Sequence, residues 1–529
     1  MELTSVLTVD ISNRLYKAAS VRELDRRAIQ EHGIPGIVLM KRAGMAAFDM
    51  LQARWPTAQA VVVFCGGGNN GGDGYIIAGL ARQRGWRVHV AQLAAPEKLK
   101  GDARLAWQFA VDQDVEMHYF GDDSAQLPAW LEQIEAGSDD VSRGDDSRDS
   151  VVMVDALLGT GITGEVRPAY RDAIKLINRL TWPVLAVDIP SGLCSDSGAV
   201  KGLAVCADMT VTFIGIKSGL YTGRGPALSG EVVFRDLDVP GDVYVAMEVA
   251  AEKLDLSGLL AAELPQRERD AHKGHFGHVL VIGGDTGFGG AAAMAGESAL
   301  RIGAGLVGVA TRGVHVQALL ARRPELMVKT VESGQDLGPL LSGPTVLVIG
   351  PGLGRAPWGE QVLQQAVQSG LPMVLDADAL NILGDGLISL PKGGAGCVLT
   401  PHPGEAARLL GVGNADIQRE RFAAARALRE KYGATVLLKG AGTLIDGGDD
   451  RPVGLCPYGN PGMASGGMGD VLAGIIGGLM AQGLAAPLAA RLGACLHGVA
   501  ADRVASEAGE RGMAATDLLR HLPALVNGR

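Results

Sequence analysis

The sequence predicts an α/β protein of two domains, and three observations carry that prediction. Short β-branched runs are followed repeatedly by glycine-rich loops and then by helical stretches, the pattern of parallel βαβ units. This alternation lapses around residues 240–265 and then starts afresh. The length of 529 residues, at about 150 per domain, leaves room for two to four domains with full cores.

In the first half, Val21 to Gln30 and Ile37 to Leu51 read as helices around the Gly33/Pro35/Gly36 turn. Ala60 to Cys65 is a β-branched strand, Gly66 to Gly74 a glycine loop, and Tyr75 to Gly85 the following helix. Gly66, Gly68 and Gly71 satisfy G-x-G-x-x-G. The next strand, Arg87 to Leu93, ends without the acidic residue that holds a ribose, which argues against a standard NAD-dehydrogenase site. Asn69, Asn70 and Asp73 are more polar than a pyrophosphate turn needs and suggest specific hydrogen bonding. Gly121 to Ser150 is acidic, serine-rich and aperiodic, a solvated loop or insertion. Two buried strands, Val151 to Asp155 and Pro183 to Asp188, each end in an aspartate ahead of a glycine-rich loop. Ligands collect at that edge of doubly wound sheets, so Asp155 and Asp188 are site candidates rather than turn caps. Asp208 to Ile214 and Gly230 to Leu237 are further strands.

The linker falls within 240–265, with Lys253 to Glu263 as a short helix. His272, His275 and His278 are spaced by three, which gathers them on neither a strand nor one helix face. They read as loop histidines rather than a metal site. The βα alternation then resumes: Gly284 to Gly290 precedes the small-residue helix Ala291 to Ile302. Further strands lead into Gly350-Pro-Gly-Leu-Gly354, Asp376-Ala-Asp-Ala-Leu-Asn381, Thr400-Pro-His-Pro-Gly-Glu405 and Lys439-Gly-Ala-Gly-Thr443. His402, held between two prolines at a strand's carboxyl end, is read as a substrate contact.

The chain has no Gly-Lys dipeptide and hence no Walker A loop. Phosphate binding falls instead to Asn460 to Asp470, which runs into the apolar Val471 to Ile476. Unshielded glycine N–H groups at a helix N-terminus attract anions. Asp470 stands at that mouth, where a carboxylate is expected to stay ionised. It is either an ordinary cap or the general base for a hydroxyl that attacks a phosphoryl group.

Composition narrows the classes. A net charge of −10 and only 4% aromatic residues oppose a nucleic-acid surface, which needs basic stripes and stacking platforms. The six cysteines form no C-x-x-C pair and read as reduced thiols in a cytoplasmic protein. Met1 to Tyr16 lacks an apolar core of the signal-peptide kind, and no apolar run reaches spanning length, so no membrane partner is expected.

With these motifs assembled, residues 250–529 resemble the ribokinase-like NAD(P)H-hydrate dehydratases, through Gly350 to Gly354, Thr400 to Glu405, Lys439 to Thr443 and Asn460 to Asp470. Residues 1–245 resemble the NAD(P)H-hydrate epimerases, through Cys65 to Gly74 and Val187 to Gly192. Their order is that of the bifunctional NAD(P)H-hydrate repair enzymes. The resemblance implies an N-terminal Rossmann-like doubly wound sheet and a C-terminal ribokinase-like α/β/α sandwich. It implies that the first domain interconverts (6R)- and (6S)-NAD(P)HX, the hydrated nicotinamide cofactors. The second would dehydrate the S form to NAD(P)H with ADP, releasing AMP and phosphate.

Position by position, the resemblance assigns the epimerase substrate to Asn69, Asn70, Gly71, Gly72 and Asp73, to Gly159, Thr160, Gly161, Ile162, Thr163, Gly164 and Glu165, and to Asp188. Asp188 is also the candidate for proton transfer. Asn70, Asp155 and Ser191 would ligate K+, which suits hard oxygen donors. In the dehydratase, Ala291, Gly352, Gly354, His402 and Asp470 would hold the hydrate, and Lys439, Gly440, Ala441, Gly442, Thr443 and Gly469 the nucleotide. Mg2+ is expected with ADP, and a homo-oligomer is expected. Two other readings stay open: a sugar or hydroxymethylpyrimidine kinase, which shares the C-terminal fold, and a non-catalytic nucleotide sensor, for which Asp470 would be unnecessary.

Overall fold

The computed structural model describes residues 11–121, 124–138, 151–390 and 396–528. The chain divides into two compact units, Met1–Ala251 and Glu252–Arg529. In the first, seven strands form a parallel sheet in the order Glu116–Tyr119, Arg87–Gln92, Ala60–Cys65, Val151–Ala156, Val184–Val187, Met209–Phe213, Glu231–Arg235. The chain winds outward from Ala60–Cys65 to one edge, returns to Val151–Ala156, and winds outward to the other. The order therefore reverses between those two middle strands, which opens a crevice at their carboxyl ends. Alternation along the strands covers both faces. Val61, Val63 and Val152 enter one core, and Val62, Phe64 and Met153 the other.

Three expectations are corrected here. The helix after Ala60–Cys65 begins at Asn69 and runs Asn69–Gln83, so Asn69 to Asp73 are its first turn and not loop. Close packing explains the glycines: a Cβ on Gly66 would lie 1.9 Å from the Leu157 carbonyl oxygen, and one on Gly71 2.1 Å from that of Gly66. The segment expected to be a solvated loop contains a helix, Leu127–Ser138. Its Leu127, Trp130 and Leu131 are buried, an i, i+3, i+4 stripe that the acidic surroundings mask in the sequence; residues 139–150 lie outside the described residues. The helix expected over 253–263 starts at Leu256, capped by Asp255 through the Gly258 N–H at 2.7 Å, and Ala251–Lys253 is strand.

In the second unit, seven parallel strands run Met327–Thr330, Leu306–Thr311, His278–Ile282, Val346–Ile349, Met373–Leu375, Cys397–Leu399, Thr435–Leu438. Thr443–Asp446 and Gly454–Cys456 extend them antiparallel. The reversal lies between His278–Ile282 and Val346–Ile349. The apolar helix Met468–Ala481 is buried almost throughout and packs against Gly289–Arg301. Gly474 allows that approach, since a Cβ there would lie 2.1 Å from the Ala295 carbonyl oxygen. Among the described residues no helix is long and apolar enough to cross a membrane.

Candidate active sites

At the reversal of the first sheet lies a cavity of about 840 Å³. Asn69, Asn70, Asp73, Gly159, Thr160, Gly161, Ile162, Thr163, Glu165 and Asp188 line it, so most of the expected epimerase residues converge. Gly71 and Gly72 do not; they are packed against Gly66 and Met40. Gly164, at φ +92°, turns the loop without lining the cavity.

Two lining residues, Asp25 and Lys217, were not anticipated. Lys217, 1% exposed, forms an ion pair with Asp188 Oδ1 and donates to the Phe213 carbonyl at 3.0 Å. Asp188 sits in the left-handed region at φ +67°, which an aspartate adopts only at a cost. Its Oδ1 also accepts the Phe213 N–H at 3.2 Å. Burial pushes Asp25 up to about 6, opposed by Lys217 and helped by Asp188. Burial, then Asp188 and Asp25, hold Asp73 well above the carboxylate range.

Asp155 differs from Asp188 although both follow the same strand pattern. It is fully buried and accepts the Ser191 N–H at 2.7 Å, the Ser191 hydroxyl at 2.6 Å and the Leu157 N–H at 3.2 Å. Burial still raises it to about 6 against those bonds. Ser191 Oγ in turn accepts the Leu158 N–H at 2.8 Å. Asn70 is buried, and neither its Oδ1 nor its Nδ2 finds a partner. The orphaned amide, the serine hydroxyl and the carboxylate supply hard oxygen donors of the kind that suits a monovalent cation.

The second site gathers at the start of Met468–Ala481. Gly467 takes φ +92° at the N-cap, and Asp470 lies in the first turn. Lys439, from the end of Thr435–Leu438, places Nζ 2.8 Å from Asp376 Oδ1 and 3.8 Å from Glu405 Oε2. Thr400 donates to Asp376 Oδ1 at 2.8 Å. A Cβ on Gly469 would fall 3.1 Å from Asp376 Oδ2 and 3.3 Å from Lys439 Nζ, so the helix start is pressed against this pair. Burial opposes the Lys439 charge, but Asp376, Glu405 and Asp470 outweigh it and hold its pKa above the ordinary lysine value. Asp470 is not the freely ionised carboxylate expected at a helix N-terminus. Burial and nearby Asp376 push it up to about 7, against Lys439; they outweigh the dipole.

The remaining expected residues take definite places. Ala291 and Gly352 are neighbours, since a Cβ on Gly352 would lie 3.1 Å from that of Ala291. Gly354 donates its N–H to Asp378 at 2.9 Å. His402 is the N-cap of Pro403–Leu410: its Nδ1 accepts the Gly404 and Glu405 N–H groups at 3.0 and 3.3 Å. That fixes the proton on Nε2, which faces Glu405 Oε1 at 3.4 Å. Beneath Lys439 to Thr443 the buried Arg421 donates to the carbonyls of Leu438, Lys439 and Gly442 at 3.3 Å each, which holds the loop's backbone. His272 and His275 stack with ring centroids 3.7 Å apart, and among the described residues no three His, Cys, Asp or Glu side chains gather to hold a metal ion.

Comparison with known proteins matches both halves. A family described as NAD(P)H-hydrate dehydratase matches residues 279–524, and one described as YjeF-related protein N-terminus matches residues 36–219. The bifunctional NAD(P)H-hydrate repair enzyme Nnr of Coxiella burnetii is 47% identical over 97% of this chain and 99% of its own. The chain belongs to the family of bifunctional NAD(P)H-hydrate repair enzymes. The Escherichia coli member is 40% identical over 98% of this chain and 95% of its own. A solved ADP/ATP-dependent NAD(P)H-hydrate dehydratase from Bacillus subtilis, co-crystallised with ATP/Mg2+, is 28% identical over 52% of this chain and 98% of its own, with a TM-score of 0.47.

Within this repair-enzyme frame, the residues that sequence reasoning missed divide in two. Lys217 carried a signal: a lysine two residues beyond the apolar Phe213-Ile-Gly stretch is out of place unless paired. Asp25 carried none, because Arg22-Glu-Leu-Asp-Arg-Arg27 reads as a solvated helix face. Asp376 was visible at a strand end, but its contact with Lys439 spans 63 positions.

Proposed function

We propose that this chain restores hydrated nicotinamide cofactors in two steps, one per unit. The N-terminal cavity interconverts (6R)- and (6S)-NAD(P)HX, held by Asn69, Asn70, Asp73, Gly159 to Thr163, Glu165 and Asp188. The C-terminal site converts (6S)-NAD(P)HX and ADP to NAD(P)H, AMP and phosphate. Ala291, Gly352, Gly354, His402 and Asp470 face the hydrate there, and Lys439 to Thr443 with Gly469 face the nucleotide.

The observation that carries the reading is the packing of the Gly469–Asp470 turn onto the Lys439–Asp376 pair. It places a base and a cation beside backbone N–H donors. Asp470, with its pKa near 7, is matched to remove the hydroxyl proton of the hydrate. The hydroxyl oxygen then attacks the β-phosphorus of ADP and AMP leaves. Lys439 and the N–H groups of the turn neutralise charge on the transferring group. The ring nitrogen's lone pair next expels phosphate from C6, and loss of the C5 proton restores the dihydropyridine.

Mg2+ would enter with ADP and would offset the charge of its phosphates. Asn70, Ser191 and Asp155 would hold K+, which would supply a positive charge at the N-terminal site. The six free cysteines support a cytoplasmic location, where thiols stay reduced.

The test is incubation with chemically hydrated NADH and ADP, following reduced-nicotinamide absorbance and AMP. Recovery of NADH with one AMP per turnover is expected. A stable phosphoester would turn the reading to a small-molecule kinase, and binding without turnover would turn it to a sensor.

A further inference from the structure

We infer that Asp25 is a catalytic residue of the N-terminal site, the second carboxyl that transfers protons when the hydrate changes hand. The inference rests on the epimerase reading and deepens it. Asp25 lies on the helix Ala18–Gln30, ahead of the residues 36–219 matched by the family, and lines the same cavity as Asp188 and Lys217.

The chemistry calls for two such groups. C6 of the hydrate carries a hydroxyl and is bonded to the ring nitrogen. For inversion, one carboxylic acid gives its proton to the departing hydroxyl, the C6–O bond breaks and water forms, while the nitrogen lone pair closes a C6=N iminium. Water then adds to the opposite face, a new C6–O bond forms, and a carboxylate takes the released proton. No oxidant or co-reactant is consumed. One carboxyl group serves one face; the reaction needs a proton donor and a proton acceptor together.

The cavity supplies that pairing. Asp188 comes from the end of Val184–Val187 and is paired with Lys217. Asp25 comes from a separate element and shares the same lysine's field. Asp73, the third carboxyl facing them, is 8% exposed. One buried ammonium balances one of three acids, and low-dielectric surroundings favour a proton on the others. The cavity therefore holds a donor and an acceptor at once. Arg22, Lys98, Asp102, Glu165 and Arg167 are the other charged groups of this lining.

The test measures R-to-S exchange without nucleotide in the full chain. Asp25→Asn should lower kcat on the order of 10²-fold or more, the usual cost of losing an acid–base group, with KM for the hydrate within a few-fold. Dehydration of the S form with ADP should be unchanged. Asp25→Glu should recover part of the rate. If Asp25→Asn does not fold, Asp25→Ser with added formate decides, and formate-dependent recovery is expected. Exchange in Asp25→Asn within three-fold of the unsubstituted chain overturns the proposal, as does a loss that appears in KM alone or a soluble Asp25→Ser that formate leaves inert. If the unsubstituted chain itself gives no exchange above the buffer rate, the epimerase reading fails first and this proposal with it.

Discussion

Lys439 Nζ lies 2.8 Å from Asp376 Oδ1, and Gly469 is the residue whose missing side chain lets the helix start reach that pair. Strand end, strand end and helix start thus meet at one point, which makes the electrostatics of Asp470 a property of three distant segments.

Asp470→Asn keeps shape but cannot accept a proton. ADP-dependent dehydration should fall by roughly 10²–10⁴, with nucleotide binding and R-to-S exchange kept. Because the base works when deprotonated and its pKa is about 7, the dehydration rate of the unsubstituted chain should climb with pH up to about 7 and level off above. A flat profile, or dehydration within a few-fold in Asp470→Asn, would demote the residue to a cap.

The same cluster predicts a sign for stability. Asp470 and Glu405 both titrate near 7 in the fold, whereas an unfolded carboxyl titrates near ~4. Between those values the folded state binds more protons than the unfolded, so stability is greatest below about pH 4 on this account and is lost as pH rises through about 7. Melts of the C-terminal piece should show Tm falling from about pH 5.5 to 8, with a shallower fall in Asp470→Asn. Equal slopes would remove Asp470 from the balance.

Asn70 offers the cleanest handle on the cation, because Asp155 also anchors Ser191 and Leu157 and its loss would loosen two loops. Exchange should be faster in K+ than in Li+, and Asn70→Ala should lower it and erase that difference. A cation dependence that survives in Asn70→Ala would exclude the amide as a ligand.

Two glycines on neighbouring elements should respond oppositely. Gly474→Ala drives a Cβ to 2.0 Å from Ser298 Oγ and 2.1 Å from a backbone oxygen, and should cost ~1–3 kcal/mol. Gly290→Ala meets nothing within 4 Å inside a helix and should stabilise by ~0.4–1 kcal/mol. Denaturant midpoints of the two variants separate these outcomes.

Each unit should fold alone, since each has its own sheet and core. The residue ranges 1–251 and 252–529, expressed separately, should each melt cooperatively. Failure of both would show that the chain is a single folding unit.

The sequence by itself determined the two α/β halves, the strand-end loops and many of the candidate residues that the fold gathers at the N-terminal cavity and at the start of Met468–Ala481. Those features are local: β-branched runs and glycine spacing act over a few positions, and a parallel sheet brings its strands' carboxyl ends to one edge whatever lies between. Only the tertiary structure decided the charge states and partners. It turned Asp155 inward onto Ser191 and Asp188 outward onto Lys217, though both follow like strands. It placed Asp25 in a cavity although its neighbours along the helix are charged. It raised Asp470 by burying it beside Asp376, 94 positions earlier in the chain. Desolvation and Coulomb terms depend on what packs within a few ångströms, and the order of residues along the chain does not contain that information.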